Sequence, residues 1–426
     1  MSGERSRRRH REPEPLLEVE DLRTRFRTDE GVVRAVDGVS FSVGRGETVC
    51  LVGESGSGKT VASESITRLI RTPPGEIEGA VRFEGRDLAT LSDEELTSVR
   101  GGDIAHVFQN PQGALNPVYT VGWQLVEAVR LHEDVSKQAA RERALELLDR
   151  VGIPDATSRF DDYPHEFSGG MKQRVVIAMA LASNPKLLVA DEPTTALDVT
   201  IQAQILRLLV ELQEEFEMSI LLITHDLGVV AEVADRVVVL YAGKVMETAD
   251  VYGLFDEPSH PYTRALLGCL PGRGGRMRSI GGTLPDPTDP PPGCRFAARC
   301  PHAVDACTEG DQPPLYATGD GRTADAGDPL DSGGTPDEAD APEAGGSSPT
   351  PGGPLRTSGF AGGSDGDEGR RDDPERGHAS GAGGTHRVSC VHFGPGGDPS
   401  VVLDGGENEA ASESATGTET ETGGDE

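Results

Sequence analysis

The chain has 426 residues and a formal net charge of −32, with 72 acidic against 40 basic side chains. This excess of negative charge argues against non-specific binding to nucleic acid and against a lipid-seeking surface, because both partners attract Lys and Arg. Aromatic residues make up only 4% while Gly and Pro number 55 and 30, which indicates that part of the chain lies outside any packed core.

The negative charge is spread over the whole chain. Residues 311–426 hold 24 acidic and 6 basic side chains, a net charge of −18, which leaves −14 for residues 1–310. Because salt screens repulsion between like charges, this distribution predicts a protein adapted to a very salty cytoplasm. An ordinary fold with an acidic tail is the alternative, and the charge of residues 1–310 argues against it.

Residues 1–15, MSGERSRRRHREPEP, are charged and are predicted to form a flexible tail. No apolar stretch follows them, so we expect no secretion signal. No run approaches the roughly 18 apolar residues of a membrane span. The protein is therefore expected in the cytosol, where cysteines stay reduced.

From Leu16 to about Leu270, short apolar runs alternate with helical patterns. The runs at 47–53, 186–191 and 219–225 have the near-continuous apolar character of strands in a parallel sheet that is covered on both faces. The predicted fold class is therefore α/β.

Two helical segments within residues 120–151 interrupt this alternation. The second of them places Leu145, Leu148 and Val151 on one face. They predict a helical subdomain, at about residues 110–165, that is inserted in the α/β domain.

The segment GESGSGKT, residues 53–60, directly follows an apolar strand and fits the pattern G-x-x-x-x-G-K-[ST]. Gly56 and Gly58 allow backbone N–H groups to turn toward a phosphate, and the N-terminus of the next helix faces the same charge. Lys59 suits the terminal phosphates, and the Thr60 hydroxyl suits Mg²⁺. A glycine-rich turn without a ligand is the alternative, and the preceding strand favours the phosphate site.

The segment KLLVADEP ends an apolar strand in two acidic residues. Asp191 is placed to hold the Mg²⁺ shell, and Glu192 is placed to polarise a water for attack on the γ-phosphate. An acidic pair that simply ends a strand is the alternative, but it does not explain Pro193 and the break that follows.

The segment FSGGMKQR, residues 167–174, combines Ser, two glycines and the start of a helix. It predicts a second anion site, which makes sense if two chains share nucleotide across an interface. A plain helix cap at Ser168 is the alternative, and both can hold.

Taken together, these motifs resemble the ATP-binding subunit of an ABC transporter over about residues 16–310. The resemblance implies that Phe26 stacks on adenine, although simple packing would also explain an aromatic there. It implies that Gln109 senses the γ-phosphate and Mg²⁺, and that Met171 replaces the more usual Gln of the signature motif. His225 becomes the switch histidine, with a satisfied polar group at a strand end as the alternative.

The resemblance implies an ATP- and Mg²⁺-dependent ATPase with the following residues. The implied catalytic residues are Glu192, His225 and Gln109, and the implied Mg²⁺ ligands are Thr60, Gln109 and Asp191. The implied nucleotide-binding residues are Phe26, Gly53, Glu54, Ser55, Gly56, Ser57, Gly58, Lys59, Thr60, Gln109, Asp191, Ser168, Gly169, Gly170 and Asp198.

Four stretches, at 110–125, 163–174, 254–271 and 291–307, look like the dipeptide, oligopeptide and nickel import branch, and the second of them includes the FSGGMKQR motif. This branch implies a subunit that powers peptide import through ATP-driven dimer closure. A nickel or sugar cargo and, further off, a soluble ABC ATPase outside transport are the alternatives. With the acidic surface, the sequence is expected to come from a halophilic archaeon.

The implied partners are two integral membrane permease subunits and a second ATP-binding subunit, either a copy or a homologue. An extracytoplasmic solute-binding protein would act indirectly, and no nucleic acid is expected. The chain would lie peripherally on the cytoplasmic face of the cell membrane.

Four cysteines, in a reduced compartment, predict one metal centre. Zinc and four buried free thiols are the alternatives, while the resembling importer subunits imply a [4Fe–4S] cluster. The ligands would be Cys294, Cys300, Cys307 and Cys390, whereas Cys50 and Cys269, on a strand and a helix, are expected in the core.

The predicted boundaries follow from these assignments. They are a flexible tail at 1–15, the ATPase domain at 16–265, a cysteine-rich C-terminal extension at 266–310 plus 386–403, a disordered acidic insert at 311–385 and a disordered acidic tail at 404–426.

Overall fold

The central sheet is built from short apolar strands whose side chains face two separate cores. In the strand Thr48–Val52 all five residues are buried. Cys50 and Val52 pack into one core, while Val49 and Leu51 pack into the other. Successive side chains of a strand point to opposite faces, so an uninterrupted apolar run needs cover on both faces.

The computed structural model describes residues 15–109, 111–195, 197–270, 280–318 and 386–403, without the side chains of residues 111 and 112. All of these residues fall in one compact unit. The predicted tails at 1–15 (Pro15 apart) and 404–426, and residues 319–385 of the predicted insert, lie outside the described residues. Residues 311–318, predicted as the start of that insert, are described and include a short strand at Tyr316–Ala317.

The strands are, in chain order, β1 Leu17–Thr28, β2 Gly31–Val43, β3 Thr48–Val52, β4 Gly75–Phe83, β5 Arg86–Asp87, β6 Ile104–Val107, β7 Leu187–Asp191, β8 Ser219–Thr224, β9 Arg236–Tyr241, β10 Lys244–Asp250, β11 Tyr316–Ala317 and β12 Arg387–Val388. β3, β7 and β8 confirm the three strands predicted from their apolar runs.

The helices are α1 Lys59–Ile66, α2 Asp93–Val99, α3 Pro111–Ala114, α4 Val121–His132, α5 Lys137–Arg150, α6 Ala156–Arg159, α7 Gly169–Ala180, α8 Val199–Phe216, α9 Leu227–Val233, α10 Val251–Asp256, α11 Pro261–Leu267 and α12 Ser400–Leu403. Within this set, none has both the length and the apolar character that a membrane span requires.

Two sheets organise the described residues. The smaller is antiparallel with strand order β2-β1-β4-β5, and the larger has the order β11-β12-β10-β9-β3-β8-β7-β6. β9, β3, β8, β7 and β6 run parallel, while β10 and β12 are antiparallel to their neighbours. The carboxyl ends of β3, β7 and β8 therefore meet along one edge of the larger sheet.

The helices of residues 111–180 pack on one face of this sheet. α4 and α5 bury Leu125, Val129, Leu147 and Leu148 in the same core as Cys50 of β3. Antiparallel β1, β2 and β4 cover the other face together with α1.

The C-terminal cysteine segment returns to the larger sheet through β12, which pairs with β10. Glu247 of β10 is completely buried, and its carboxylate accepts hydrogen bonds from Ser259 N (2.7 Å), His260 N (2.8 Å) and His386 Nε2 (2.6 Å). β11 pairs with β12, and Thr318 N donates to His386 O at 2.9 Å. Residues 386–393 are thus tied to the core of the protein.

The expectation that Cys269 lies in the core was wrong. Cys269 lies just beyond the end of α11 and is only partly buried, because α11 ends at Leu267. Leu115, in the helical region after Gln109, is only 3% exposed and belongs to the core.

Candidate active site

The loop after β3 has a backbone that only glycine can follow at two points. Gly53 and Gly58 have φ of 156° and 99°. A Cβ at Gly53 would lie 2.1 Å from Leu240 O, and one at Gly58 would lie 2.3 Å from Ala35 O. The loop is therefore pressed against β2 and β9, with α1 beginning at Lys59 directly after it. This is the strand–loop–helix context that a phosphate cradle requires.

Lys59 is buried inside this loop. Its ammonium donates hydrogen bonds to Gly53 O at 2.8 Å and to Glu54 O at 2.9 Å. Burial lowers the pKa of Lys59, while the carboxylates of Glu192 and Asp191 act in the opposite direction. A desolvated cation that is held at the loop by two carbonyls can exchange these partners for phosphate oxygens at low cost.

Asp191, the last residue of β7, faces the start of α1. The Thr60 hydroxyl lies close to its carboxylate, and Oδ1 is buried with no hydrogen-bond partner among the described residues. Burial raises the pKa of Asp191, the charge of Glu192 adds to this, and Lys59 opposes it. An orphaned carboxylate oxygen beside a threonine hydroxyl is the pair that a hard cation such as Mg²⁺ would satisfy. The Ser57 Oγ in the loop is also buried and has no hydrogen-bond partner within the described ranges.

Glu192 is the centre of a hydrogen-bond network. Its Oε1 lies 2.9 Å from His225 Nδ1, and its Oε2 accepts from Gln109 Nε2 at 2.8 Å and Thr195 Oγ1 at 2.9 Å. Burial acts to raise the pKa of Glu192, but the hydrogen bonds from His225, Thr195 and Gln109 outweigh it, so this pKa is lowered. The carboxylate is therefore ionised at neutral pH.

The backbone fixes the direction of this side chain. Glu192 has φ of 45°, in the left-handed region that is rare for residues other than glycine. Its N–H donates to Ile223 O at 2.9 Å, which ties the end of β7 to the end of β8. Strained residues of this kind concentrate at functional sites.

The predicted second anion site lies at the start of α7. Ser168 caps this helix, and its Oγ accepts from Met171 N at 3.3 Å. Asp198 caps α8 in the same way, from Ile201 N at 3.0 Å. A Cβ at Gly170 would lie 2.6 Å from Ile201 Cγ2, so the two helix starts pack together.

Phe26 lies on β1, in the antiparallel sheet, where it pairs with Gly75 of β4. Its Cε1 would lie 3.5 Å from a Cβ at Gly75. Among the described residues, the structure thus brings together Asp191, Glu192, Gln109, His225 and the phosphate-binding loop of residues 53–60, the P-loop. The contacts of Phe26 do not link it to this group.

Sequence reasoning missed two kinds of residue at this site. Thr195 lies in the segment TTALD, and its hydroxyl at three residues from Glu192 could have been recognised as a local donor. Arg299 and Tyr262 contact Glu54 of the P-loop from the C-terminal part of the chain, and no local pattern announces them.

The four predicted metal ligands share one region. Cys294, Cys307 and Cys390 are buried, all four thiols are free, and Cys294 N donates to Cys307 O at 2.8 Å. Burial, together with the charges of the other thiols, raises the pKa of Cys300 to about 11 and that of Cys390 to about 12. Over the described ranges, no three His, Cys, Asp or Glu side chains are arranged to hold a metal ion.

Comparison with known families matches two parts of the chain. Residues 36–195 match the family described as ABC transporter, and residues 246–307 match the one described as oligopeptide/dipeptide transporter, C-terminal region. The first match contains the P-loop and Glu192, and the second contains three of the four cysteines.

Two curated relatives cover most of their own length. The oligopeptide transport ATP-binding protein OppD of Bacillus subtilis is 53% identical over 310 residues, which are 72% of this chain and 86% of the relative. The dipeptide transport ATP-binding protein DppD of Escherichia coli is 49% identical over 324 residues, 75% of this chain and 99% of the relative.

The solved structures agree on the fold of the ATPase part. A dimeric ATP-binding cassette in a post-hydrolysis state bound to ADP and Pi is 31% identical, with a TM-score of 0.50, and matches 55% of this chain and 98% of its own. The chain has the ABC cassette fold and belongs to the ATP-binding subunits of the oligopeptide/dipeptide ABC transporter family, with the ATPase activity of that family.

Proposed function

We propose that this chain powers a membrane importer of di- and oligopeptides by binding and hydrolysing ATP. The observation that carries the proposal is the network around Glu192, which joins Gln109, Thr195 and His225 next to the P-loop. The C-terminal family region and the printed names of OppD and DppD support peptides as the cargo.

ATP would enter the cradle formed by residues 53–60. Lys59 would turn from the carbonyls of Gly53 and Glu54 toward the terminal phosphates, and the α1 N-terminus would add its dipole. The Thr60 hydroxyl and the free Oδ1 of Asp191 fit Mg²⁺, with Gln109 as a further contact. When bound, Mg²⁺ would neutralise charge on the transferred phosphate.

Glu192 would orient a water toward the γ-phosphate. Three donors hold the carboxylate ionised and in one position, so it can accept a proton from the water as the oxygen attacks. His225 and Gln109 would keep Glu192 and the water aligned. The protein thus contributes mainly position and charge, as in other phosphoryl-transfer sites.

A second ATP-binding subunit, a copy or a homologue, would complete the site. Ser168, Gly169 and Gly170 at the start of α7 would face the nucleotide held by the P-loop of that partner, and Asp198 would lie beside them. The adenine would stack on Phe26 of the subunit that supplies the P-loop.

The helical region after Gln109 would contact the permease subunits, which would hold the chain peripherally on the cytoplasmic face of the membrane. An exposed aromatic pair supports this role: Tyr119 and Trp123 stack at 4.1 Å, and Val118 beside them is 70% exposed. A cysteine placed at Val118 is expected to crosslink to a permease subunit in membranes. Capture by the permease only from α12, at the far end of the chain, would reject this contact.

Cys294, Cys300, Cys307 and Cys390 would hold a [4Fe–4S] cluster of structural role. The proposal rests on ligand type, because four free thiols lie in one region, three of them buried, and thiolates are the ligands of such a cluster. Their side chains would have to move closer together to hold it, since no three metal-ligating side chains of the described residues are so arranged. Because burial raises the pKa of Cys300 and Cys390, their thiolates need a bound metal to persist. Anaerobic purification is expected to yield a brown protein with about four irons per chain, whereas one zinc and no iron would replace the cluster by a zinc site.

Cargo and role are tested together in the assembled complex in proteoliposomes, with the solute-binding protein supplied on the outside. Di- and oligopeptides are expected to stimulate ATP hydrolysis and to accumulate inside. A Lys59→Ala variant is the matched negative. Stimulation by nickel or sugar instead would correct the cargo, and hydrolysis without association with any membrane protein would point to a soluble ABC ATPase.

A further inference from the structure

Two side chains from the C-terminal third of the described chain form hydrogen bonds with Glu54 of the P-loop. The backbone N–H of Glu54 donates to the Tyr262 hydroxyl at 3.0 Å. The Glu54 carboxylate oxygen Oε2 accepts from Arg299 Nη1 at 3.1 Å, while the buried Oε1 has no hydrogen-bond partner in the part of the chain that the structure describes. Both the main chain and the side chain of this residue are therefore held from outside the loop.

Arg299 is itself held in one orientation. Its side chain is 7% exposed. Nε donates to Gly281 O at 2.7 Å and Nη2 to Ile280 O at 3.2 Å, while Nη1 also contacts the Tyr241 hydroxyl at 3.1 Å. The guanidinium lies 5.5 Å from the Tyr241 ring centre. Because the planar guanidinium of Arg299 has this many fixed partners, it constrains the position of the group it binds and does more than supply a charge.

Glu54 stands between Arg299 and Lys59. The Lys59 ammonium donates to Gly53 O and Glu54 O, at the entrance of the same loop. A shift of Glu54 therefore moves the carbonyls that hold the phosphate-binding lysine. Because binding affinity depends on how little a site must reorganise, the fixing of Glu54 bears directly on the affinity for ATP.

We propose that Arg299 is a positioning residue for the P-loop: through Glu54 it holds the loop in the geometry that binds ATP. Arg299 lies between Cys294 and Cys300, so this hydrogen bond directly connects the cysteine segment to the nucleotide site. Tyr262 would support the same geometry from the main-chain side.

The test uses the full chain in its membrane complex and measures the KM for ATP and kcat by phosphate release. Losing a charge-assisted hydrogen bond to Glu54 is expected to raise the KM of Arg299→Met about tenfold, with kcat at saturating ATP within about twofold. Glu54→Gln is expected to raise the KM by a similar factor. The dissociation constant of the full chain for a fluorescent ATP analogue should rise in parallel.

Arg295→Met is the matched control, because it removes an arginine from the same loop. Arg295 Nη2 donates to Asp37 Oδ2 at 2.7 Å and not to a residue of the P-loop, and without Arg295 the Asp37 carboxylate still has Lys244 at 3.2 Å. This variant is expected to lower the unfolding temperature while the KM for ATP stays within about twofold of wild type. A tenfold higher KM in Arg295→Met would mean that general loosening of the loop explains the effect.

The double variant tests whether Arg299 acts through Glu54. In the Glu54→Gln background, Arg299→Met is expected to change the KM less than about twofold, since the two share one interaction. A full tenfold increase of the KM in this background would mean that Arg299 acts through its bonds to the Ile280 and Gly281 carbonyls, and this would overturn the proposal. A wild-type KM in Arg299→Met would overturn it as well. If Arg299→Met does not fold, Arg299→Lys and Glu54→Gln carry the same comparison.

Discussion

Replacing Glu192 with Gln removes a charge from the centre of the site while nearly preserving its shape. If the amide oxygen takes the Oε2 position, it still accepts from Gln109 and Thr195. The amide NH₂ then faces His225 Nδ1, which can accept in its other tautomer. The variant is therefore expected to fold and to bind ATP as the wild type does, within about threefold.

The loss in rate follows from the lost base. A positioned general base contributes about 10²–10⁴ in rate, which is about 3–5 kcal/mol of activation free energy. Steady-state phosphate release by the assembled complex should fall by that factor, and the ATP-bound dimer should accumulate in the closed form, visible by gel filtration.

Glu217→Gln is a matched control, because Glu217 is exposed and has φ of 50°, close to the 45° of Glu192. Its turnover should equal that of the wild type. Hydrolysis by Glu192→Gln at the wild-type rate would refute the assignment of the base and leave the network without a catalytic role.

Three further outcomes are expected. Thr195→Ala removes a hydrogen-bond donor that favours the ionised form of Glu192, so the pKa of Glu192 rises. Because the base is lost as pH falls through that pKa, the acidic limb of the kcat/KM profile moves to higher pH. Thr195→Ser keeps the donor and should keep the wild-type profile. Glu247→Gln leaves the buried His260 N–H facing an amide NH₂ and should lower the free energy of unfolding by about 1–3 kcal/mol in thermal melts, whereas exposed Glu257→Gln should not; equal stabilities would contradict this account. The chain should lose helical circular dichroism at millimolar KCl and regain it at molar KCl, since a net charge of −32 repels itself when unscreened, and a spectrum and melting point indifferent to KCl would leave only an acidic tail.

The parts of the site that the sequence predicted are those where one residue type is physically required. Gly53 and Gly58 meet backbone oxygens at distances that no Cβ tolerates, so the motif and the structure express the same constraint. Asp191 ends a fully buried strand and Glu192 follows it, and parallel strands bring their carboxyl ends to one edge of the sheet. Local pattern therefore specified these positions.

The contacts that escaped prediction join distant segments. Arg299 and Glu54 are separated by 245 residues, and no local pattern distinguishes Arg299 from the other arginines of the chain. The pairing of β12 with β10 likewise depends on the buried carboxylate of Glu247, a residue that reads as exposed in a charged stretch. Such choices are made by tertiary packing, which overrides local preference.

The short ladder of β11 and β12 has a consequence for how the chain can vary. Thr318 and His386 lie side by side and are joined by a hydrogen bond, so the two described positions that flank residues 319–385 are neighbours, like the two ends of a hairpin turn. The entropy cost of joining two neighbouring positions grows only with the logarithm of the length of the connecting segment. This junction is therefore a permissive site: a two-residue turn, an affinity tag or a whole fluorescent domain could stand there while the strands on either side keep their register.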